Sequence, residues 1–317
     1  MKAKNNTVAR RDHYEELTNT IIAKLEDGVL PWRRPWDAKK CAANTSPMNP
    51  VTGRTYRGVN ALALAMSPRA FNTGDPRWVS YRQAAERGWQ VRQGEKGAIV
   101  FFYKKLLVRK DDEDDRTIPL LRAYVVFHAS QIDGIPELLL LEAAKPVVER
   151  IADADLIVKA SGVRVEIGGD RAYYRPSTDH IQMPPDSAFA SPADWAATIL
   201  HELAHATGAP SRLNRDLTGR FGNTAYAREE LRAELASLFV GSALGLPCDV
   251  PNHASYIHSW IDVLKNDKRE VFRAAADANR IAEWILGRHP EHAAGGDDPA
   301  AADDEQPSGA RPDALAA

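Results

Sequence analysis

With 317 residues, 44% of them hydrophobic, the chain can build two modest domains, and its longest apolar runs (Ala61 to Met66, Ala98 to Tyr103) are far too short to span a membrane. Cys41 and Cys248 are the only cysteines, which excludes a disulfide framework or a cysteine-rich metal site. The net charge of -2 hides an asymmetry: through Lys110 about 21 Lys and Arg face about 9 Asp and Glu, and beyond it about 20 face about 34. A basic first third is the composition of a polyanion-binding module, whereas the acidic remainder is a poor nucleic-acid reader. Met1 to Arg11 is polar and basic with no apolar stretch behind it, so no signal peptide is expected and a cytoplasmic location fits.

An amphipathic helix carrying Tyr14, Leu17, Ile21 and Leu25 opens the chain and ends at Gly28 and Pro31. Trp32-Arg33-Arg34-Pro35-Trp36 then alternates aromatic rings with guanidinium groups. Tyr56-Arg57, Trp78, Trp89 and Phe101-Phe102-Tyr103-Lys104-Lys105 continue the theme, and the turn Val91 to Gly97 presents Arg92 and Lys96. Bases of single-stranded nucleic acid stack on exposed rings while cations track the phosphates. The candidate DNA contacts are therefore Trp32, Arg33, Arg34, Trp36, Tyr56, Arg57, Lys96, Lys104 and Lys105. A single tryptophan beside a proline is more often a core anchor, so the signal lies in the ensemble and the charge. Ala98 to Leu107 and Arg122 to His128 read as strands around a charged loop, Arg109 to Arg116.

A connector over residues 131–146 leads to a second unit. Ala172 to Arg175 and His180 to Met183 read as a β-hairpin, an edge that can form the rim of a substrate cleft. Ser191-Pro192-Ala193-Asp194 has the pattern of a capping box, and the helix it starts runs to Thr207, stopped by Gly208 and Pro210. Within it, His201-Glu202-Leu203-Ala204-His205 spells H-E-x-x-H. Histidines at i and i+4 share a helix face and can reach one zinc ion, and the glutamate between them can take a proton from water on that ion.

Gly208 follows as in one zincin class, but Ser211 stands where that class has its third histidine, so the third ligand must lie elsewhere. The Leu231, Leu235, Leu238 spacing makes residues 226–235 helical, with Glu230 and Glu234 a turn apart on the apolar stripe. An unpaired carboxylate on such a face is costly. Glu230 is the expected ligand and Glu234 the group that orients a ligand histidine, with adjacent Glu229 a rival within the uncertainty of helix phase and Asp216 a weaker one. Two histidines and one carboxylate favour Zn2+, and Mn2+ is an alternative. Helices at 252–265 and 269–286 close the unit, and the Ala, Asp, Gly and Pro composition from residue 289 reads as a disordered tail.

The expected fold class is α+β. Residues 1–135 form a mixed α/β single-stranded-DNA-binding domain, residues 136–288 a mainly helical gluzincin-like metallopeptidase domain with a small antiparallel sheet, and residues 289–317 the tail. The chain strongly resembles the plasmid-encoded ArdC antirestriction family. The match is carried by Leu30 to Trp36, Thr52 to Asn60, Gly94 to Gly97, His201 to Ser211, Leu213 to Asp216, Tyr226 to Glu234 and the Tyr256 to Trp260 stretch. That resemblance implies an N-terminal domain that binds single-stranded DNA without strong sequence preference and a C-terminal zincin-like peptidase. It also implies protection of incoming conjugative DNA in the recipient cell, and it suggests Tyr256 or His258 as a group that polarises a carbonyl. A peptidase acting on an unidentified, restriction-related protein is one reading. A DNA-coating protein with a structural metal is another. A metal-dependent nuclease is disfavoured, because such sites prefer carboxylate-rich metal pairs.

Overall fold

The computed structural model describes residues 12–32, 45–110, 113–138, 146–219, 223–246 and 256–293. Arg33, Arg34 and Trp36 lie outside the described residues, as do the tail beyond Ala293, the start of the helix expected from residue 252 and much of the connector.

Asp12 caps α1 (His13–Glu26), its carboxylate accepting from the backbone N–H groups of Tyr14 and Glu15 at 3.1 and 3.3 Å. Of the face that the spacing predicts, Ile21 and Leu25 are buried and Tyr14 and Leu17 pack partly buried against the core, with Thr18 and Ile22 buried beside them. Two short helices follow, α2 (Gly58–Ala65) and α3 (Pro68–Thr73), then β1 (Trp78–Ser80), α4 (Tyr81–Glu86) and β2 (Gln90–Val91). The expected hairpin is longer than its hydrophobic pattern. β3 (Ala98–Lys110) and β4 (Glu113–His128) pair from Ala98 opposite Val126 out to Lys110 opposite Glu113, so the charged stretch read as a loop is mostly strand. Backbone pairing needs no apolar side chains, and periodicity therefore misses it. β1 lies on the other edge of β4, and β2 pairs with β5 (Ile132–Asp133). On the open edge of β3, the Asn60 amide of α2 accepts from the Phe101 N–H at 2.6 Å and donates to the Phe101 carbonyl at 2.7 Å, in place of a neighbouring strand.

In the second half, α5 (Val147–Ser161) leads into a three-stranded sheet. β8 (His180–Met183) is central, with β7 (Tyr173–Arg175) antiparallel on one side and β6 (Arg164–Ile167) parallel on the other. Then come α6 (Pro192–Ala206), α7 (Thr224–Leu244), α8 (Ile257–Asn266), α9 (Glu270–Leu286) and the single turn α10 (Pro290–Ala293). The tail expected from residue 289 does not begin there: His289 is buried, its Nε2 lies 3.1 Å from Asp153 Oδ1, and α10 follows.

One hydrophobic core runs through both sequence halves. Ile21, Leu25, Trp32 and Phe101 belong to the same buried cluster as Leu203, Leu231, Trp260 and Phe272. Smaller clusters surround Trp78 and Val79 beneath the first sheet. The architecture is mixed α and β, with no helix among the described residues long and apolar enough to cross a membrane.

Candidate metal centre

The Ser191 hydroxyl caps α6, accepting from the Asp194 N–H at 3.2 Å and donating to Asp194 Oδ2 at 2.8 Å, with Pro192 at the first helical position. Ile199, Leu200 and Leu203 go to the core. Asp194, Thr198, His201, Glu202 and His205 line a cleft of about 690 Å³.

The rings of His201 and His205 approach edge to face with centroids 4.8 Å apart, and their Nε2 atoms are 3.2 Å apart. α7 delivers Glu230 against them: Oε2 lies 3.8 Å from His201 Nε2, and Oε1 3.5 Å from His205 Nε2. One donor atom from each of the three residues falls within 4.8 Å of the others. Two nitrogens about 2.0–2.1 Å from one tetrahedral ion lie roughly 3.3 Å apart, so these residues fit a small divalent cation. The field points the same way. Burial alone lowers the proton affinity of His205, but the carboxylates of Glu230, Glu229 and Glu202 outweigh it and raise the imidazole to about 9. The surrounding carboxylates thus favour positive charge at this position.

The outer partners fix both tautomers. The Ser237 hydroxyl donates to the Ala233 carbonyl at 2.9 Å, so at 3.3 Å it accepts from His201 Nδ1–H. Glu229 Oε1 lies 3.3 Å from His205 Nδ1, and Arg215 holds that carboxylate through Nη2 at 2.7 Å and Nε at 3.1 Å. Burial opposes ionisation of Glu229, yet hydrogen bonds from His205 and Arg215 keep its pKa below the usual carboxylate value. With each Nδ1 engaged from behind, the Nε2 atom of each ring is the one left to face Glu230.

The rival Glu229 thus orients His205 and stands behind the cluster, one helical step of about 100° from Glu230. Glu234 Oε1 accepts from the Trp32 indole N–H at 3.2 Å, and the Ser237 hydroxyl lies beside His201 Nδ1. Asp216 is exposed at the cleft and outside the three-residue cluster. Arg215 and Ser237 carry no role in the sequence reading. Arg215 is placed by a loop that folds back on α6: Leu213 N–H donates to the Thr207 carbonyl at 2.8 Å, Asn214 adopts φ 48°, and Arg215 N–H donates to the Gly208 carbonyl at 3.0 Å. The only trace in the sequence is the Leu213-Asn214-Arg215-Asp216 string itself.

Glu202 is buried beside the cluster. Its pKa is pushed up to about 7, first by burial and then by the charge of Glu230, against the opposing pull of His205 and of a hydrogen bond from the Tyr174 backbone N–H. Tyr174 belongs to β7, whose other edge pairs with β8, so the rim strand touches the central glutamate directly. Tyr256 lines the cleft, its hydroxyl 3.2 Å from that of Tyr226, which also hydrogen bonds Glu230. Burial raises the pKa of both phenols, and both stay protonated. His258 is exposed on α8 and is not among the residues lining the cleft.

The proposed DNA contacts fare differently. Trp32 is 2% exposed, packs its ring against Trp260 at 5.7 Å and donates to Glu234, so it is a core residue and cannot stack on a base. The Tyr56 hydroxyl donates to the Trp78 carbonyl at 3.2 Å, and its ring packs on the cluster around Trp78. Arg57 precedes α2 and pairs with Glu283 of α9. Lys96 is exposed in the turn before β3, and Lys104 and Lys105 lie within β3. Arg92 of that turn is held by Asp133 and Glu95 at 3.1 and 3.3 Å.

Comparison with known proteins gives two family matches. Residues 11–127 match the N-terminal domain of anti-restriction factor ArdC, and residues 152–277 match a zincin-like metallopeptidase. The metal-free crystal structure of the antirestriction protein ArdC from plasmid R388 superposes with a TM-score of 0.75 at 36% identity, covering 91% of this chain and all of that one (100%). The Mn(II)-bound form of that protein gives 0.70 at 37% identity, covering 88% and 98%. An uncharacterised Sinorhizobium fredii protein, y4eC, is 41% identical over 86% of this chain and 91% of its own length. Two Escherichia coli DNA primases named TraC are 42% identical over 87% and 89% of this chain, which spans only 27% and 20% of their lengths. The clustered histidines and glutamate, the folded-back loop and these likenesses agree: the chain belongs to the ArdC antirestriction family.

Proposed function

We propose that this protein is a metal-dependent peptidase joined to a single-stranded-DNA-binding module, acting in the cytoplasm to protect incoming conjugative DNA from restriction. The observation that carries the peptidase reading is the meeting of His201, His205, Glu230 and Glu202 in one cleft beneath an edge strand. His201, His205 and Glu230 would hold a divalent ion, Zn2+ by the chemistry of the set, with Mn2+ supported by the R388 relative. Such an ion supplies Lewis acidity toward an amide carbonyl and acidifies water. Glu202, with its affinity for a proton centred near 7, accepts one from the attacking water and returns it to the leaving amine. The Tyr256 hydroxyl faces the cleft and donates to the carbonyl oxygen as charge develops on it. The outer edge of β7 aligns an extended chain across the cleft.

The basic first third supports a polyanion ligand, and the presence of the same stretch in a DNA primase supports a DNA ligand. With Trp32 in the core, Lys96, Lys104 and Lys105 remain as described candidates, alongside Arg33, Arg34 and Trp36. The test is a conjugative transfer assay under restriction, comparing wild type with Glu202→Gln, with metal content and single-stranded-DNA affinity measured on both. Loss of protection with both bindings intact supports the peptidase. Protection that survives makes DNA coating the function and the metal site structural.

A further inference from the structure

Tyr226 touches both Glu230 and Tyr256, and two helical pairs put it there. Asn223 caps α7, its side chain accepting from the Tyr226 N–H at 2.8 Å, and Glu230 follows four residues later on the same helix face. The Gly219 backbone presses so closely on the start of α7 that a β-carbon there would collide with the Tyr226 amide nitrogen, so the loop pins Tyr226 from its own side. At the start of α8, Tyr256 stands four residues before Trp260, their rings stacked with centroids 5.9 Å apart and planes 30° apart. Trp260 is fully buried, and its indole N–H donates to the Ala227 carbonyl of α7 at 3.1 Å. The rings of Tyr226 and Tyr256 therefore meet, tilted by 43° with centroids 5.9 Å apart and hydroxyl oxygens 3.2 Å apart.

Counting protons gives that contact a direction. A phenol has one O–H to donate, and a carboxylate that ligates a cation has none. The Tyr226 proton goes to Glu230, so at 3.2 Å it is Tyr256 that donates to the Tyr226 oxygen. The bonds run from the Tyr256 hydroxyl to the Tyr226 hydroxyl to the Glu230 carboxylate, each polarising the next. At rest the Tyr256 proton is thus engaged. A neutral carbonyl oxygen gains little by drawing it away, since one neutral hydrogen bond replaces another. Charge developing on that oxygen makes it the stronger acceptor, and rotation about one C–O bond turns the hydroxyl toward it.

We infer that Tyr226 is a positioning residue with two tasks: its O–H holds the Glu230 carboxylate for the cation, and its oxygen holds the Tyr256 hydroxyl in reserve for the transition state. The second task rests on the peptidase reading, and the first stands without it.

The experiment compares wild type with Tyr226→Phe, Tyr256→Phe and the double variant, each change removing a hydroxyl and keeping the ring. Thermal unfolding confirms that all four fold. Zn2+ affinity is measured by calorimetry, and kcat and KM are measured at saturating Zn2+ on a quenched fluorescent peptide chosen by digesting a peptide library with the wild-type protein. Tyr226→Phe should weaken Zn2+ binding about tenfold, while Tyr256→Phe leaves it within about threefold. Each single change should lower kcat about tenfold or more with KM within about twofold, and the double variant should be no slower than Tyr256→Phe. A residue that only supports the fold would give losses that multiply in the double variant. Unchanged Zn2+ affinity in Tyr226→Phe overturns the first task, and multiplying losses in kcat, or a change confined to KM, overturn the second. If the wild-type protein cuts no peptide, the peptidase reading falls and the second task with it, and the Zn2+ titration alone decides the first.

Discussion

A single oxygen, Glu229 Oε1, lies 2.7 Å from Arg215 Nη2 and 3.3 Å from His205 Nδ1, so the loop after α6 decides how that histidine is held. Replacing Arg215 with Met strands a buried carboxylate beside an imidazole. Such breakage of a buried pair costs about 3–5 kcal/mol, and loss of an orienting partner weakens a metal site by about 10–100-fold. Urea unfolding and titration of Zn2+ by calorimetry measure the two effects, and unchanged metal affinity would refute the assignment.

The two neighbouring glutamates should separate cleanly. Glu230→Gln removes a charged donor from the cluster, and the protein should lose stoichiometric metal on dialysis, as measured by elemental analysis. Glu229→Gln should retain stoichiometric metal at lower affinity, because the amide oxygen can still accept from His205 Nδ1–H. The reverse ranking would make Glu229 the ligand.

Trp32→Phe tests the reassignment of that ring from DNA contact to core. The change removes the indole donor to Glu234 and should destabilise the fold by about 1–3 kcal/mol. Affinity for a labelled single-stranded oligonucleotide, read by anisotropy, should stay within a factor of about two, since a ring with no exposed face cannot stack on a base.

His128 gives the fold a pH limit away from the cleft. The fully buried imidazole donates from Nε2 to the Asp75 carbonyl at 2.8 Å, and its Nδ1 accepts from the Ser130 N–H at 3.1 Å. Burial lowers its pKa from 6.5, so the unfolded chain binds the proton more tightly than the folded one. The stability that the neutral ring contributes is complete above 6.5 and is lost as pH falls below it. Urea unfolding at pH 7.5 and pH 5 should show a steeper loss for wild type than for His128→Gln. Parallel losses would contradict this.

The sequence made the centre legible because its signals are local. The H-E-x-x-H spacing, the Ser191 cap and the Pro192 start all act within one helix, and residues one turn apart must share a face. Glu230 could be read from helix phase, but the choice against Glu229 depends on the rotation of α7 against α6, which only packing sets. Arg215 was invisible, because its role arises from a loop that turns back through Asn214. Trp32 misled for a related reason. Alternation of rings and guanidinium groups reads the same whether a ring points out to solvent or in toward Trp260. The charged end of the β3–β4 hairpin was missed because paired backbone leaves no mark in hydrophobicity.

The bond from Trp32 to Glu234 also bears on how such a protein can be inherited. Trp32 packs in the same core as residues of α6 and α7, the helices that bring His201, His205 and Glu230 together, and Ile21 and Leu25 of α1 belong to that core too. Exchange of either half for an unrelated one would uncover a face of the other. The two halves are matched by separate family models, yet the stretch aligned with the far longer TraC primases spans both of them, and with it both partners of that bond.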